Sequence, residues 1–272
     1  MIEGHLKKML SKLADPVEYE LPVGDQCVPL NPLLGKTIKL KYEGEINCSS
    51  CGKRTKKSYS QGFCYVCMTQ LAQCDLCIMK PETCHYHLGT CREPEWGERF
   101  CFQDHIVYLA NSSGLKVGIT RHTQIPTRWI DQGATQALPI FKVKTRLQSG
   151  QIEMALKQHV SDKTDWRKML KGQADIKNLH EERERLMKAA ESEINAVKAA
   201  NKTGDIEIIN EMDQIGIKYP VLEYPKKVTS FNFDKTPEVE GRLMGIKGQY
   251  LILDSGVLNI RKFTSYKVQF DA

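Results

Sequence analysis

The sequence predicts an α+β multidomain chain: a cysteine-built N-terminal ribbon region, a small central α/β module, one long helix and a small C-terminal β domain. Three observations carry that expectation. Nine of the ten cysteines fall between Cys48 and Cys101. Strand-like and helix-like apolar patterns alternate between residues 105 and 172. Beyond residue 204, short apolar runs are separated by Lys-Thr-Pro, Lys-Gly and Ser-Gly turns. The resulting divisions are N-terminal strands over 1–47, a cysteine-rich region over 48–104, the α/β module over 105–172, a polar helix over 173–203 and a β-rich domain over 204–272.

Bulk properties narrow the class. With 272 residues, 41% hydrophobic and 26% charged, the chain is long enough and apolar enough to fold around a core. A formal net charge of +6 permits a nucleic-acid partner without demanding one. No apolar run could span a bilayer, so no membrane partner is expected. The first eight residues carry Glu3, Lys7 and Lys8 where a secretory signal needs an apolar stretch. These features predict a cytoplasmic protein, whose cysteines serve metal before disulfides. Oligomeric state is not readable.

In the first division Leu6, Met9, Leu10 and Leu13 predict a short helix ending before Pro16. Strands are expected over Val17–Val23 and Lys36–Ile46, the second because Ile38, Leu40 and Tyr42 alternate with lysines. In the central module, His105–Ala110 and Leu115–Thr120 read as a hairpin around Asn111-Ser112-Ser113-Gly114. A helical segment over Pro126–Gln132, a strand over Leu138–Thr145 and a helix over Gln151–Val160 complete it. Residues 173–203 read as one charged helix with a thin stripe of Ile176, Leu179, Leu186, Ala190, Ile194 and Val197. The stripe is too short for several heptads, so packing on its own domain is favoured over a coiled coil. The last division predicts strands over Val228–Phe233, Glu238–Met244, Tyr250–Asp254 and Val257–Ile260.

Cys48-Ser-Ser-Cys51 and Cys64-Tyr-Val-Cys67 are two CxxC pairs separated by twelve residues. Each pair can wrap two thiolates around one face of a zinc ion, and two pairs complete a tetrahedral site with no open position. This is the spacing of a zinc ribbon, and it predicts structure before catalysis. A further pair, Cys74 and Cys77, predicts a second zinc site completed by two of Cys84, Cys91 and Cys101, with His85 and His87 also nearby. An iron–sulfur cluster suits four thiolates as well.

Between the first knuckles lie Lys53, Arg54, Lys56 and Lys57, with Tyr42, Tyr59 and Tyr65 close in sequence. Cations for phosphate and rings for bases are what nucleic-acid binding requires. An ordinary solvated lysine face is the competing reading.

The run Val107-Tyr108-Leu109, then Lys116-Val117-Gly118-Ile119-Thr120, Pro126-Thr127-Arg128 and Ile152-Glu153 resembles the core of the GIY-YIG nuclease superfamily. The resemblance covers about a quarter of the chain. Lys116 stands where a tyrosine opens the second motif, Ile106 replaces the first glycine, and the later asparagine has no counterpart. The resemblance implies a small three-stranded sheet flanked by helices and a divalent-metal-dependent phosphodiesterase. Tyr108 would orient or deprotonate water, Lys116 would meet a phosphate, Arg128 would contact the scissile phosphate, and Glu153 would hold magnesium or manganese. Arg121 crowds the same region. The whole chain also resembles an uncharacterised family of bacterial proteins with N-terminal cysteine motifs.

The combined expectation is a zinc-containing nucleic-acid-binding protein. RNA is slightly preferred over DNA, because ribbons are paired with a small β-rich terminal domain. Two alternatives stay open: a non-catalytic nucleic-acid-binding or RNA-processing adaptor, and an RNA- or nucleotide-modifying enzyme using the second cysteine cluster.

Overall fold

Residues 1–47 carry strands β1 (Ile2–His5), β2 (Leu10–Lys12), β3 (Glu18–Val23), β4 (Gln26–Pro29) and β5 (Thr37–Ile46) in the computed structural model, which describes residues 1–161, 163–172 and 174–272. The helix expected from Leu6, Met9, Leu10 and Leu13 does not form. Leu6 and Met9 are buried, but Leu10 and Leu13 are exposed. A bend between two strands accounts for a three-residue spacing as well as a helix does. Tertiary hydrogen bonds then override helix propensity: the Leu6 amide donates to the Tyr266 carbonyl (2.9 Å), and the Met9 amide to Gln249 Oε1 (2.8 Å).

The cysteine-rich stretch holds α1 (Tyr65–Gln70), several single 3₁₀ turns and α2 (Pro94–Cys101). The central module follows with β6 (His105–Asn111), β7 (Leu115–Arg121), α3 (Thr127–Asp131), β8 (Gln136–Val143) and α4 (Arg146–Leu156). The hairpin of β6 and β7 is in register from His105↔Arg121 to Asn111↔Leu115. Helix α4 begins five residues earlier than the apolar pattern indicates. Thr145 and Gln148 form a reciprocal capping box there, so Thr145 is a helix cap rather than the end of a strand.

The polar segment is two helices rather than one. After α5 (Trp166–Met169) come α6 (Leu179–Ala189) and α7 (Glu191–Ala199), broken at Ala190, whose φ is −104° and ψ 17°. Leu179, Leu186, Ala190 and Ile194 are buried on the central sheet, whereas Ile176 is exposed. The chain then runs through β9 (Ile206–Ile208) and β10 (Ile215–Gly216), which extend the central sheet by pairing with β8. Neither strand is long enough to show a period in sequence. Strands β11 (Glu238–Lys247), β12 (Tyr250–Leu253), β13 (Gly256–Asn259) and β14 (Tyr266–Asp271) follow. The strand expected over Val228–Phe233 is reduced to a single bridge between Ser230 and Val257. Phe233 is turned inward against Phe263, ring centroids 4.8 Å apart, and serves as a plug rather than a ladder rung.

Strands from the two ends of the chain share one antiparallel sheet in the order β1-β14-β5-β11-β12-β13. A smaller sheet, β2-β3-β4, lies beside it, and the central sheet runs β10-β8-β6-β7. Every residue of β6 is buried, and its alternation divides two cores. Val107 and Leu109 face α4, α6 and α7, together with Ile152, Leu156 and Leu186. Ile106, Tyr108 and Ala110 face the opposite way, into the core shared with the terminal strands. The period of two along one strand therefore places Tyr108 at the junction of the central module and the terminal sheet.

Candidate functional site

The first cysteine cluster is built by two turns. Strand β5 ends at Ile46. The Gly52 amide then closes back on the Cys48 carbonyl (2.9 Å), with Gly52 at φ +69°, a left-handed conformation that glycine enters without strain. The second turn is the start of α1, where Cys64 Sγ accepts the Cys67 amide (3.4 Å). The two turns are tied by the Ser49 amide donating to the Gly62 carbonyl (2.8 Å). As a result the sulfurs of Cys48, Cys51, Cys64 and Cys67 all lie within 4.8 Å of one another. Zinc–sulfur bonds of about 2.3 Å in a tetrahedron put sulfurs about 3.8 Å apart. The Cys51 and Cys64 sulfurs are separated by 3.8 Å.

The donor set therefore fits one structural zinc ion. Its acidity is already graded. Burial raises the Cys48 thiol, but backbone donors from Cys51, Cys64 and Ser50 outweigh that and bring it down to about 6. Burial and hydrogen bonding to the other three thiols push Cys67 up to about 12. A bound dication would remove that conflict by holding all four as thiolates.

The remaining cysteines separate differently from the expectation. Cys74 stands beside Ser60, toward the first cluster. Cys77, Cys84, Cys91 and Cys101 line one small cavity together with Asp75 and His85. Asp75, Cys77 and His85 place their ligand atoms within 4.8 Å of one another. Asp75 is already engaged, by Arg92 Nε at 2.6 Å and by the Cys77 amide at 3.2 Å. His87 is exposed and lies outside both groups.

A cleft of about 540 Å³ opens over the central module. Lys116, Arg121, Arg128 and Glu153 all line it, so four of the residues singled out in sequence share one wall system. Tyr108 lies beneath the floor. Its hydroxyl donates to Gln132 Oε1 (3.0 Å), which also accepts from Lys116 Nζ (2.5 Å). Burial pushes the Tyr108 hydroxyl up to about 12, against the opposing pull of nearby Arg128. A phenol held protonated in this way positions its neighbours rather than abstracting protons near neutrality.

Further cleft residues were not apparent from sequence. Among the described residues, Lys8, Arg146 and Arg261 bring the cations to six, against the carboxylates of Asp131 and Glu153. Asp131 is paired with Lys8 and accepts from Gln249 Nε2 (2.8 Å), which joins both ends of the chain to the cleft. Burial depresses the pKa of Arg146, Arg121 and Arg261. Arg146 was within reach of sequence analysis. A Thr-x-x-Gln box marks the helix start, and Arg146 then stands seven residues, two turns, before Glu153 on the same face. Arg261 had no such signal, because its place depends on a fold-level contact, Nε to Gln61 Oε1 at 2.6 Å.

Of the ribbon-loop cations, Lys53, Arg54, Lys56 and Lys57 are exposed. Lys57 lies over the Tyr59 ring, 5.4 Å from its centroid. They do not line the cleft. The same loop does reach a neighbouring groove of about 600 Å³ through Ser58 and Gln61. That groove shares Lys116, Asp131, Gln132 and Arg261 with the cleft. Among the described residues no helix is long and apolar enough to cross a membrane.

No curated protein and no solved structure matches the chain, so the likeness to the GIY-YIG core rests on the sequence motifs alone. One family does match, described as a protein of unknown function (DUF2797), over residues 35–268. That span takes in the four-cysteine cluster, the cleft lining except Lys8 and most of the terminal sheet, and the chain belongs to the DUF2797 family.

Proposed function

We propose that the cleft grips the phosphate backbone of a nucleic acid, RNA ahead of DNA, and hydrolyses a phosphodiester bond with the help of magnesium or manganese. The observation that carries this reading is that Lys116, Arg128 and Glu153 line one cleft in which, among the described residues, cations outnumber carboxylates by six to two. Phosphate is the ligand class such a surface selects. Arg128 offers a planar donor fork to the scissile phosphate. Lys116, held by Gln132, adds a fixed positive charge where negative charge develops. Tyr108 acts through Gln132 as a positioning residue.

Glu153 is half-buried on the cleft wall, and it would hold the divalent ion, whose remaining ligands can be water and phosphate oxygens. When bound, that ion supplies charge neutralisation and a more acidic water. The ribbon loop, with Lys53, Arg54, Lys56 and Lys57, extends the basic surface beyond the cleft, and the zinc ion's part is to hold that loop in shape.

The test uses labelled RNA, single-stranded DNA and duplex DNA with full-length protein and Glu153→Ala, in manganese or in a mild carboxylate chelator. Manganese-dependent cutting that disappears in Glu153→Ala is the expected result. Tight, chelator-insensitive binding with no cutting would replace this reading with that of a phosphate-gripping adaptor. Neither binding nor cutting would remove the cleft from consideration.

A further inference from the structure

Four of the five half-buried cysteines outside the ribbon, Cys77, Cys84, Cys91 and Cys101, converge from four separate pieces of backbone on one cavity of about 20 Å³. That volume holds about one water-sized particle. The thiols interact with one another: Cys84 and Cys101 both act on Cys77, and Cys84 and Cys91 both act on Cys101. Such convergence in a segment with only short helices and single turns needs a cause, because few apolar side chains are available to hold it.

We propose that Cys77, Cys84, Cys91 and Cys101 hold a second structural zinc ion, separate from the ribbon centre, and that this ion fixes one wall of the basic cleft.

Three observations support this beyond the convergence itself. First, the site lies next to compensating charge. Binding zinc releases four protons and leaves a site of net charge −2. The guanidinium of Arg146 is close enough to feel both Cys77 and Cys101, and that of Arg121 feels Cys101. Second, Arg146 has a donor waiting. Its Nη2 donates to the Ile78 carbonyl (2.6 Å), but its Nε is buried with no hydrogen-bond partner. A buried N–H left unpaired is costly, and a thiolate sulfur is the acceptor that the neighbouring cysteines would offer once metallated. Third, the nearest competing carboxylate is committed elsewhere: Asp75 is neutralised by Arg92, 2.6 Å away, which sets it around the metal rather than on it.

The sulfurs are spread more widely than those of the ribbon centre, which alone brings four thiols within 4.8 Å among the described residues. Protonated thiols crowded in a half-buried cavity keep their distance. Losing the protons to a dication draws them together.

The connection to the cleft is direct. The turn between Cys77 and Cys84 lies against α4 so closely that a Cβ at Gly150 would sit 2.6 Å from the Glu82 amide and 2.7 Å from Pro81 Cβ. Arg146, Ile78 and Pro81 are all cleft residues. The second zinc would thus set the position of α4 and of Arg146 whether or not the cleft cuts its ligand.

The test is metal stoichiometry on full-length protein, with cobalt substitution as a second readout. Wild type should carry about two zinc ions per chain, and its cobalt form should show the intense absorption of tetrahedral thiolate coordination at about two equivalents. Cys84→Ser and Cys101→Ser should each drop to about one ion while the ribbon centre stays filled. Cys74→Ser, Asp75→Asn and His85→Gln should each keep about two. One zinc in wild type overturns the proposal, as does iron with inorganic sulfide, or loss of an ion in Asp75→Asn or His85→Gln. Where a cysteine variant fails to fold, the stoichiometry and cobalt spectrum of wild type and of the three retained-site variants still decide the matter.

Discussion

Tyr108 and Gly118 face each other across the β6–β7 hairpin, and the tyrosine ring occupies the space that any side chain at Gly118 would fill. A Cβ built there lies 2.7 Å from the Tyr108 hydroxyl and 2.8 Å from the ring carbon that bears it. The glycine is required by packing, not by an unusual backbone conformation. It lets the hydroxyl pass under the cleft floor to Gln132, which in turn holds Lys116.

Gly118→Ala should therefore be destabilising by about 1–3 kcal/mol, the cost of overpacking a closed site. Urea denaturation monitored by tryptophan fluorescence suits the test, because Trp129 lies 5.9 Å from the Tyr108 ring centroid. Adding Tyr108→Phe should recover only part of the loss, since the ring carbons remain in the way after the hydroxyl is gone. Full recovery would mean that the oxygen alone sets the limit, and no loss at all would mean that the hairpin opens freely.

The ribbon centre makes a different demand. Residues 48–67 contain the start of one short helix and few buried apolar side chains, so a metal ion held by the four cysteines would supply their stability. Cys51→Ser should release the ribbon zinc and make the Lys53–Lys57 loop sensitive to protease. Strand β5, paired on both sides by β11 and β14, should stay protected. Limited proteolysis followed by mass spectrometry reads both. Protease resistance equal to wild type in a zinc-depleted variant would show that the loop holds itself.

His105 is buried at the start of β6, with its Nδ1 2.7 Å from the Gln103 carbonyl. Burial, followed by the nearby guanidiniums of Arg146 and Arg121, lowers its pKa to about 4, against the opposing effects of the Gln103 carbonyl and Asp104. The native ring is neutral at pH 6, while the unfolded ring takes up a proton below about 6.5. Unfolding thus binds a proton across that window. The stability due to His105 is complete above about pH 6.5 and is lost as pH falls toward 4, with a limiting slope of about 1.4 kcal/mol per unit. The difference between wild type and His105→Gln, measured by denaturation at several pH values, isolates this from acid release of zinc. A constant difference across the window would rule the titration out.

Much of this was legible in sequence, and the failures have physical causes. The ribbon spacing and the β6–β7 hairpin depend on local signals, and both are present in the fold. The helix expected at Leu6–Leu13 failed because long-range bonds from Gln249 and Tyr266 decide that stretch. β14 carries a readable alternation, with Tyr266, Val268 and Phe270 buried, but no Gly or Pro turn signal sets it off from the strand before it. Arg261 and Lys8 could not be placed, because they enter the cleft only after the two ends of the chain have joined one sheet. The neighbours of the second thiol set were hidden for a related reason. Cys74 and Cys77 look like a pair along the chain, but the turn they occupy sends them to different neighbours.

The cleft's cations should divide into those that meet a ligand and those that hold the wall. Arg146 is tied to the Ile78 carbonyl, whereas Arg261 spends its Nε on Gln61 and retains its terminal nitrogens at the junction of cleft and groove. If the proposed nucleic-acid binding holds, Arg128→Ala and Arg261→Ala should each weaken binding and lower the slope of log K against log salt by about 0.7, one phosphate contact on a single strand. Arg146→Ala should instead act mainly on stability, leaving the slope unchanged in whatever fraction stays folded. Lys57→Ala tests the exposed ribbon loop: a slope lowered by about 0.7 would extend the contact surface beyond the cleft. Fluorescence anisotropy with a labelled single strand at several salt concentrations measures all four. Should Arg128→Ala and Arg261→Ala both keep the wild-type slope, the cations of the cleft do not touch the backbone, and the phosphate-gripping reading falls.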